Sequence, residues 1–432
     1  MPTLTTASSL SRTNDNNVEG VGALPRFLFV GAGPSGLQLA IGLLDDGHDV
    51  TVVSNRTPED MRNGRLTSGQ CMFGVALATE RALGIDLWER DCPQAEGMAI
   101  AVANPAGGSP LVDWAARLDQ PAMSVDQRVK MPAWMELFEQ RGGRLEIAQA
   151  GIDDLERYCD THDLVIIAAG RGETSKLFHR IPELSPFQEP QKLVAIVAVT
   201  GVAPRPGWDA VCFNMVPGVG EHIVVPTLTP SGPGHLVVFQ LVPGGPWDCF
   251  EEADTVQKHL AVSKRLQKEF APRMYERCRD AEPMDATAFL FGGVIPIVRE
   301  AVGQLPSGRP VLGIGDTVAV NDPLTAPGAN SAAKAADAYL SAIRAHGDAP
   351  YDRAFMERTS DAFWNSTMRF VCEWNNTLLR GMPEHILRAL VAANEDPAIR
   401  DRFVNGFANP ADYFGWLVSP DQSTGSLGQM AA

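Results

Sequence analysis

An unbroken apolar run, Phe27, Leu28, Phe29 and Val30, is followed after a glycine-bearing gap by Leu37, Ala40, Ile41 and Leu44, then by a second apolar run ending at Val53. The runs predict buried strands, the intervening spacing predicts one face of an amphipathic helix, and Gly47 stands where that helix should stop. Helical spacing recurs over 75–83 and about 125–141, where Val129, Trp134, Leu137 and Phe138 share the pattern, and 163–169 reads as a buried strand closing on Gly170. These pieces describe one α/β layer structure. From 192 to 242 the period changes: short β-rich runs at 193–200, 222–227 and 235–242 alternate with Pro/Gly turns, which predicts an antiparallel sheet inserted into the α/β layers. A charged helical stretch covers about 251–279, strand texture returns at 310–315, a small-residue helix occupies 331–345, and beyond Tyr351 the pattern is helical.

With 432 residues the chain exceeds one ordinary core, and its 45% hydrophobic content can fill two or three. The net charge of −16, from 36 Lys+Arg against 52 Asp+Glu, argues against a nucleic-acid partner, which selects basic faces. Seven scattered cysteines without C-x-x-C spacing indicate reduced thiols and a cytoplasmic compartment, with no structural metal. Residues 1–24, rich in Ser, Thr and Asn, read as a flexible leader and not a signal peptide, and no apolar run reaches the length of about 18 that a membrane span needs.

The gap after the first strand carries Gly31-Ala32-Gly33-Pro34-Ser35-Gly36. Between a strand and a helix this is a dinucleotide turn: one glycine for the tight turn, one for close approach of a pyrophosphate, one for helix–strand packing. At the end of the second strand, where an acid usually meets the ribose, stand Ser54, Asn55 and Arg56. Arg56 could pair with a 2′-phosphate and favour NADP; equally, Ser54 and Asn55 could serve the ribose of FAD. A second constellation favours FAD. Gly313-Ile314-Gly315-Asp316 ends a strand and precedes Asp322-Pro323 and Gly328-Ala329-Asn330 at a helix start, which resembles the second flavin-binding motif of aromatic-hydroxylase-like flavoproteins. That resemblance implies that Asp316 binds ribityl or ribose hydroxyls, with Pro323, Gly328, Ala329 and Asn330 at the flavin edge.

The likeness extends further. Asn63-Gly64-Arg65-Leu66-Thr67-Ser68, Arg141-Gly142-Gly143, Phe291-Gly292-Gly293-Val294-Ile295-Pro296, Asp322-Pro323 and Asn405-Gly406-Phe407-Ala408-Asn409-Pro410 follow, in order, the pattern of the styrene and indole monooxygenase family. The resemblance implies a Rossmann-like FAD-binding domain (25–190 with 286–346), an inserted antiparallel substrate domain (191–285, helped by part of 75–125) and a C-terminal helical segment (347–432). It also implies the oxygenase of a two-component system. A separate NADH-dependent flavin reductase supplies reduced FAD, a C4a-hydroperoxyflavin forms with molecular oxygen, and one oxygen atom goes to a small aromatic substrate of the styrene or indole type. A homodimer is compatible with it.

By the same pattern Arg65 lies near the FAD phosphates or flavin edge, and Arg128 reaches the phosphate or ribose side. Ser68 falls where styrene epoxidases carry an asparagine, beside the isoalloxazine, and with Phe73 is the candidate for shaping the reaction. Met72, Phe213, Val225, Phe239, Phe291 and Ile295 are candidate pocket walls. No second G-x-G-x-x-G opens a helix, and the Asp-Gly motif of single-component hydroxylases is replaced by Ala169-Gly170-Arg171, so internal NAD(P)H reduction is not expected. The rivals are a flavin-dependent halogenase and a non-catalytic flavin-binding redox sensor. A halogenase requires a lysine and a Trp-x-Trp-x-x-Pro motif, which neither Trp114 nor Trp134 begins.

Overall fold

The computed structural model describes residues 24–419; the leader reading falls almost wholly outside them, as does the end of the C-terminal segment. The chain opens with β1 (Arg26–Val30), α1 (Pro34–Asp45), β2 (Asp49–Ser54), α2 (Pro58–Arg62) and α3 (Gly74–Ala82). Next come β3 (Gln94–Val102), β4 (Val112–Met123), α4 (Gln127–Gln140), β5 (Arg144–Ile147), α5 (Ile152–Thr161) and β6 (Leu164–Ile167). The strand-rich stretch holds β7 (Leu193–Thr200), β8 (Ala210–Val216), β9 (Gly220–Thr229) and β10 (Gly232–Leu241), followed by α6 (Val256–Phe270) and α7 (Pro272–Cys278). The remainder is β11 (Phe289–Gly293), β12 (Val302–Gln304), β13 (Pro310–Gly313), α8 (Pro327–His346), α9 (Arg353–Phe363), α10 (Arg369–Leu379), α11 (Glu384–Ala392) and α12 (Pro397–Gly406).

Six strands form the first sheet in the order β12-β13-β6-β1-β2-β5, parallel except for β12 against β13. Its central strands β1, β2 and β6 are nearly continuous apolar runs because helices cover both faces. α1 and α8 pack so tightly on one face that a Cβ at Gly42 would come within 2.5 Å of Leu340. The second sheet, of eight strands, runs β7-β10-β9-β8-β3-β4, with β11 and the two-residue strand Glu282–Pro283 both on the outer side of β7. It is antiparallel except where β3 lies parallel to β8, so it is mixed and not purely antiparallel as expected. β3 and β4 come from the stretch before β5, which ties the two sheets together through the chain.

Period-2 alternation divides the large sheet into two faces. Ala195, Val197, Val224, Val237 and Phe239 pack under Trp247, Phe250 and the helices α6 and α7. Val194, Ile196, Phe213, Ile223, Val225, Leu236 and Val238 face the other way, toward Phe73 and the aromatic cluster of Trp374, Phe403, Phe407 and Tyr413 from the C-terminal helices. Those helices, expected from the pattern beyond Tyr351, therefore cover one end of the sheet, a docking that the pattern did not predict. No helix among the described residues is long and apolar enough to cross a membrane.

Candidate functional site

The turn after β1 divides its glycines by task. Gly31 sits at φ +113, its N–H donates to the Val53 carbonyl at 2.9 Å, and a Cβ there would lie 2.8 Å from Ala168. A Cβ at Gly36 would lie 2.7 Å from the Gly31 carbonyl oxygen. At Gly33 the nearest atom would be the Ala168 carbonyl oxygen at 3.9 Å, so this glycine leaves backbone open to the space above it. α1 starts here with Gly33 as its N-cap and no side-chain cap, so its first N–H groups and its positive end face outward. Ala32 is buried in the turn.

A second helix end meets the same space. α8 also lacks a side-chain cap, and its N-cap Ala326 has φ 52, the only non-glycine positive φ among the described residues. A strained alanine of this kind costs on the order of 1 kcal/mol and is held in place by its surroundings. Here the holder is Asn330, whose amide donates to the carbonyls of Ala326 and Cys71, each at 2.8 Å, and whose oxygen accepts from the Phe73 N–H. A Cβ at Gly328 would meet nothing within 4 Å.

Between the helix ends and the large sheet lies a cavity of about 620 Å³. One end is bounded by Gly33, Pro34, Ser35, Gly170, Arg171 and Asp316, the middle by Pro323 and the start of α8, and the far end by the apolar face of the large sheet. Arg171 and Asp316 are the charged residues of the wall. Asp316 is accessible from the cavity yet surrounded by protein, and burial raises its carboxyl above the usual range despite Arg171 and Arg299. Ser68 lines the cavity, and its hydroxyl, buried, has no hydrogen-bond partner in the protein. Phe73, Phe213, Val225 and Phe291 also line it.

Several expected site residues stand elsewhere. Phe239 is on the opposite face of the sheet, stacked 4.4 Å from the buried His222, because Phe239 pairs with His222 whereas Val225 pairs with Leu236. Met72 is buried against α3 and α4, with Lys130 Nζ 3.1 Å from its sulfur, and Ile295 is exposed outside the cavity. The guanidinium of Arg128 is 4% exposed and fully engaged inside the protein: it donates to Asp126 at 2.7 Å, to Asp285 at 3.2 Å and to the Thr287 hydroxyl at 2.9 Å. Arg65 is exposed and outside the cavity wall. The Ser54 hydroxyl closes its own turn, donating to the Arg56 carbonyl at 2.7 Å; Asn55 donates to Gln149 at 3.3 Å, and Arg56 is exposed. Asn330 braces the wall instead of lining it.

Conversely, the cavity recruits Gln127, Arg171, Gln240 and Phe407, none of them anticipated. Gln127 accepts from the Thr67 hydroxyl at 2.9 Å, and the Thr287 carbonyl accepts from the Leu66 N–H at 3.1 Å. Arg128, by holding Thr287, thus positions the loop that carries Ser68. Behind the wall, Asp322 is fully buried; one carboxylate oxygen accepts from the Leu324 N–H at 3.0 Å, the other has no partner, and burial pushes its carboxyl up to about 7. No histidine or lysine lines the cavity, and no group of His, Cys, Asp or Glu among the described residues could hold a metal. All seven cysteines are free.

Comparison with known proteins places this architecture. Residues 170–277 match the family model described as "Styrene monooxygenase A putative substrate binding domain". Over 408 residues the chain is 28% identical to the styrene monooxygenase StyA of Pseudomonas fluorescens, covering 92% of this chain and 96% of that relative. The same figures hold for the StyA of a Pseudomonas sp. Among solved structures, the flavin-dependent brominase Bmp2 shares the fold with a TM-score of 0.66 at 13% identity, over 94% of this chain and 98% of its own. P. aeruginosa PqsL in complex with 2-aminobenzoylacetate does so with a TM-score of 0.57 at 16% identity, over 90% and 99%.

Proposed function

We propose that this chain, a styrene monooxygenase-like FAD-dependent monooxygenase, is the oxygenase of a two-component system. It takes reduced FAD from a separate NADH-dependent flavin reductase and epoxidises or hydroxylates a small aromatic substrate of the styrene or indole type. The observation that carries the reading is the continuity of one cavity from two uncapped helix N-termini to an apolar sheet face. The residues fit FAD: Gly33 and Gly328 leave backbone N–H groups open, the helix ends favour phosphate and an anionic flavin edge, and Asp316 can accept from sugar hydroxyls. Bound FAD in its reduced form would supply the two electrons that activate dioxygen, one of whose oxygen atoms goes to the substrate as an electrophile.

The protein's own part is positional. Backbone N–H groups at Gly33 and Ser35 would hold the pyrophosphate beside Pro34, with Arg171 adding positive charge at that end. Val225, Phe213, Ile196 and Leu236 exclude water and press the aromatic substrate toward the start of α8. Ser68 offers a hydroxyl with no protein partner, free to hydrogen-bond a group in the cavity. No acid–base pair is required for oxygen transfer to an electron-rich double bond, which agrees with a wall free of histidine and lysine. That same absence of lysine supports an oxygenase over a halogenase. The free thiols support a cytoplasmic location. Supplied with a flavin reductase, NADH, FAD and indole, the protein should form a blue pigment; a redox sensor would form none.

A further inference from the structure

A second cavity, of about 520 Å³, opens on the outside between the start of α3, the end of β4 and the turn after α12. Its wall is polar, with Asp119, Gln120, Asp401, Arg402 and Asn405, and Val75 lies at its rim, 50% exposed. Phe73 belongs to both cavities, while Phe407 lines the inner one and its neighbour Ala408 the outer. The two rings stand 5.8 Å apart, tilted, at 2% and 9% exposure. A pair of aromatic side chains is thus the partition between the surface cleft and the apolar end of the inner cavity.

We propose that the outer cleft is the entrance for the aromatic substrate and that Phe73 and Phe407 are its gate. This rests on the oxygenase reading, because a cofactor held at Gly33, Arg171 and Asp316 obstructs the opposite end of the inner cavity. The chain behind the gate is fastened, which leaves rotation of a ring as the way through. Lys334 Nζ donates to the Ala408 carbonyl at 2.6 Å, Asn405 accepts from the Asp119 N–H at 2.9 Å, and Gly406 is so close to the Tyr413 ring that a Cβ there would lie 2.2 Å from it. With the backbone of 405–408 fastened in this way, passage needs only rotation of the Phe407 side chain about its χ angles, a change between staggered wells that leaves the fold intact. An aromatic substrate exchanges one ring-to-ring contact for another as it crosses, so the gate favours aromatic over bulky aliphatic molecules.

Two variants test this. Val75→Trp narrows the cleft from its exposed rim, and Phe407→Ala removes one leaf of the gate. With reductase, NADH and FAD supplied, Val75→Trp should raise KM for 2-vinylnaphthalene about tenfold and for styrene less, with kcat at saturation retained; an association defect of that size is within the range that access changes produce. Phe407→Ala should narrow the difference in kcat/KM between the two substrates. In parallel, stopped-flow fluorescence of 2-vinylnaphthalene binding to each folded protein should show slower association in Val75→Trp. Unchanged association and unchanged KM in Val75→Trp would overturn the entrance. Absence of product from every vinyl-aromatic in wild type would instead sink the oxygenase reading, and the binding arm would still decide where the ligand enters.

Discussion

The side-chain carbonyl of Asn330 accepts a hydrogen bond from the backbone N–H of Phe73 at 2.9 Å, across 257 residues of chain. With its amide on Cys71 and Ala326, this one side chain ties the strained start of α8 to the loop that forms the cavity's side wall. Asn330→Ala leaves two buried backbone groups, the Phe73 N–H and the Cys71 carbonyl, and the part-buried Ala326 carbonyl without that partner and is expected to cost at least about 2 kcal/mol, since each unsatisfied buried group costs about 1–3 kcal/mol. Denaturant unfolding measures the loss. Because Ala326 is then no longer held, FAD affinity should fall in parallel, whereas a purely global effect would leave the affinity of the folded fraction unchanged.

The three glycines of the dinucleotide turn should separate on substitution. Gly33→Val puts a side chain into open cavity and should abolish FAD retention while the protein stays folded by circular dichroism. Gly36→Val drives atoms into the Gly31 carbonyl and Ala168 and should lower stability itself. Equal FAD binding by wild type and Gly33→Val would show that the turn is structural only.

Ser68 should tune the reaction and not cofactor affinity. Its loop is clamped through Thr67 to Gln127 and through Leu66 to Thr287, so a larger side chain at 68 must take its volume from the cavity. Ser68→Asn is expected to shift preference toward small styrenes over indole, because packed interiors register a change of about one methylene. Relative product rates for the two substrates, measured beside FAD affinity, check it. No change in the ratio with both proteins active would remove Ser68 from the site.

Asp322 gives the fold a pH dependence whose sign is fixed. Its carboxyl titrates at about 7 in the folded protein against an ordinary 3.8, so the unfolded chain loses this proton near pH 4 while the folded protein keeps it. The stability this proton contributes is complete below about pH 4 and is lost as pH rises to about 7. Asp322→Asn should therefore match wild type near pH 4 and exceed it increasingly up to about pH 7, by at most about 4 kcal/mol at 1.36 kcal/mol per unit. Unfolding midpoints from pH 4.5 to 8 would show a constant difference if the carboxylate were already charged throughout.

What the sequence made legible was local. The run Phe27–Val30, the glycine turn and the Leu37–Leu44 face predict β1 and α1 because strand and helix periods are written in adjacent residues. Phe239 shows where that stops: its face depends on the pairing across the turn from Thr229 to Gly232, which places it opposite His222. Counting outward from that closing pair would have put Val225 and Leu236 on one face and Phe239 on the other. β8 is not legible in the sequence because Ala210–Val216 mixes apolar residues with Cys212 and Asn214, with a parallel partner, β3, far away in the chain. Arg128 sits at a helix start as the family pattern has it, yet its guanidinium is taken up by Asp126, two residues before it, and by Asp285, 157 residues later; the second partner is one that no local pattern displays. Phe407 stands in the motif Asn405–Pro410, but only the docking of the C-terminal helices on the large sheet brings it to the cavity.

In the two-component reading, this chain uses reduced FAD made elsewhere and does not reduce its own. The decisive experiment is anaerobic mixing of the FAD-loaded protein with NADH or NADPH and, separately, mixing with chemically reduced FAD, styrene and ¹⁸O-labelled dioxygen. Neither nicotinamide should bleach the flavin, and reduced FAD should yield a styrene epoxide carrying one labelled oxygen atom. Rapid bleaching by NADH or NADPH alone, or epoxide without the label, would contradict it.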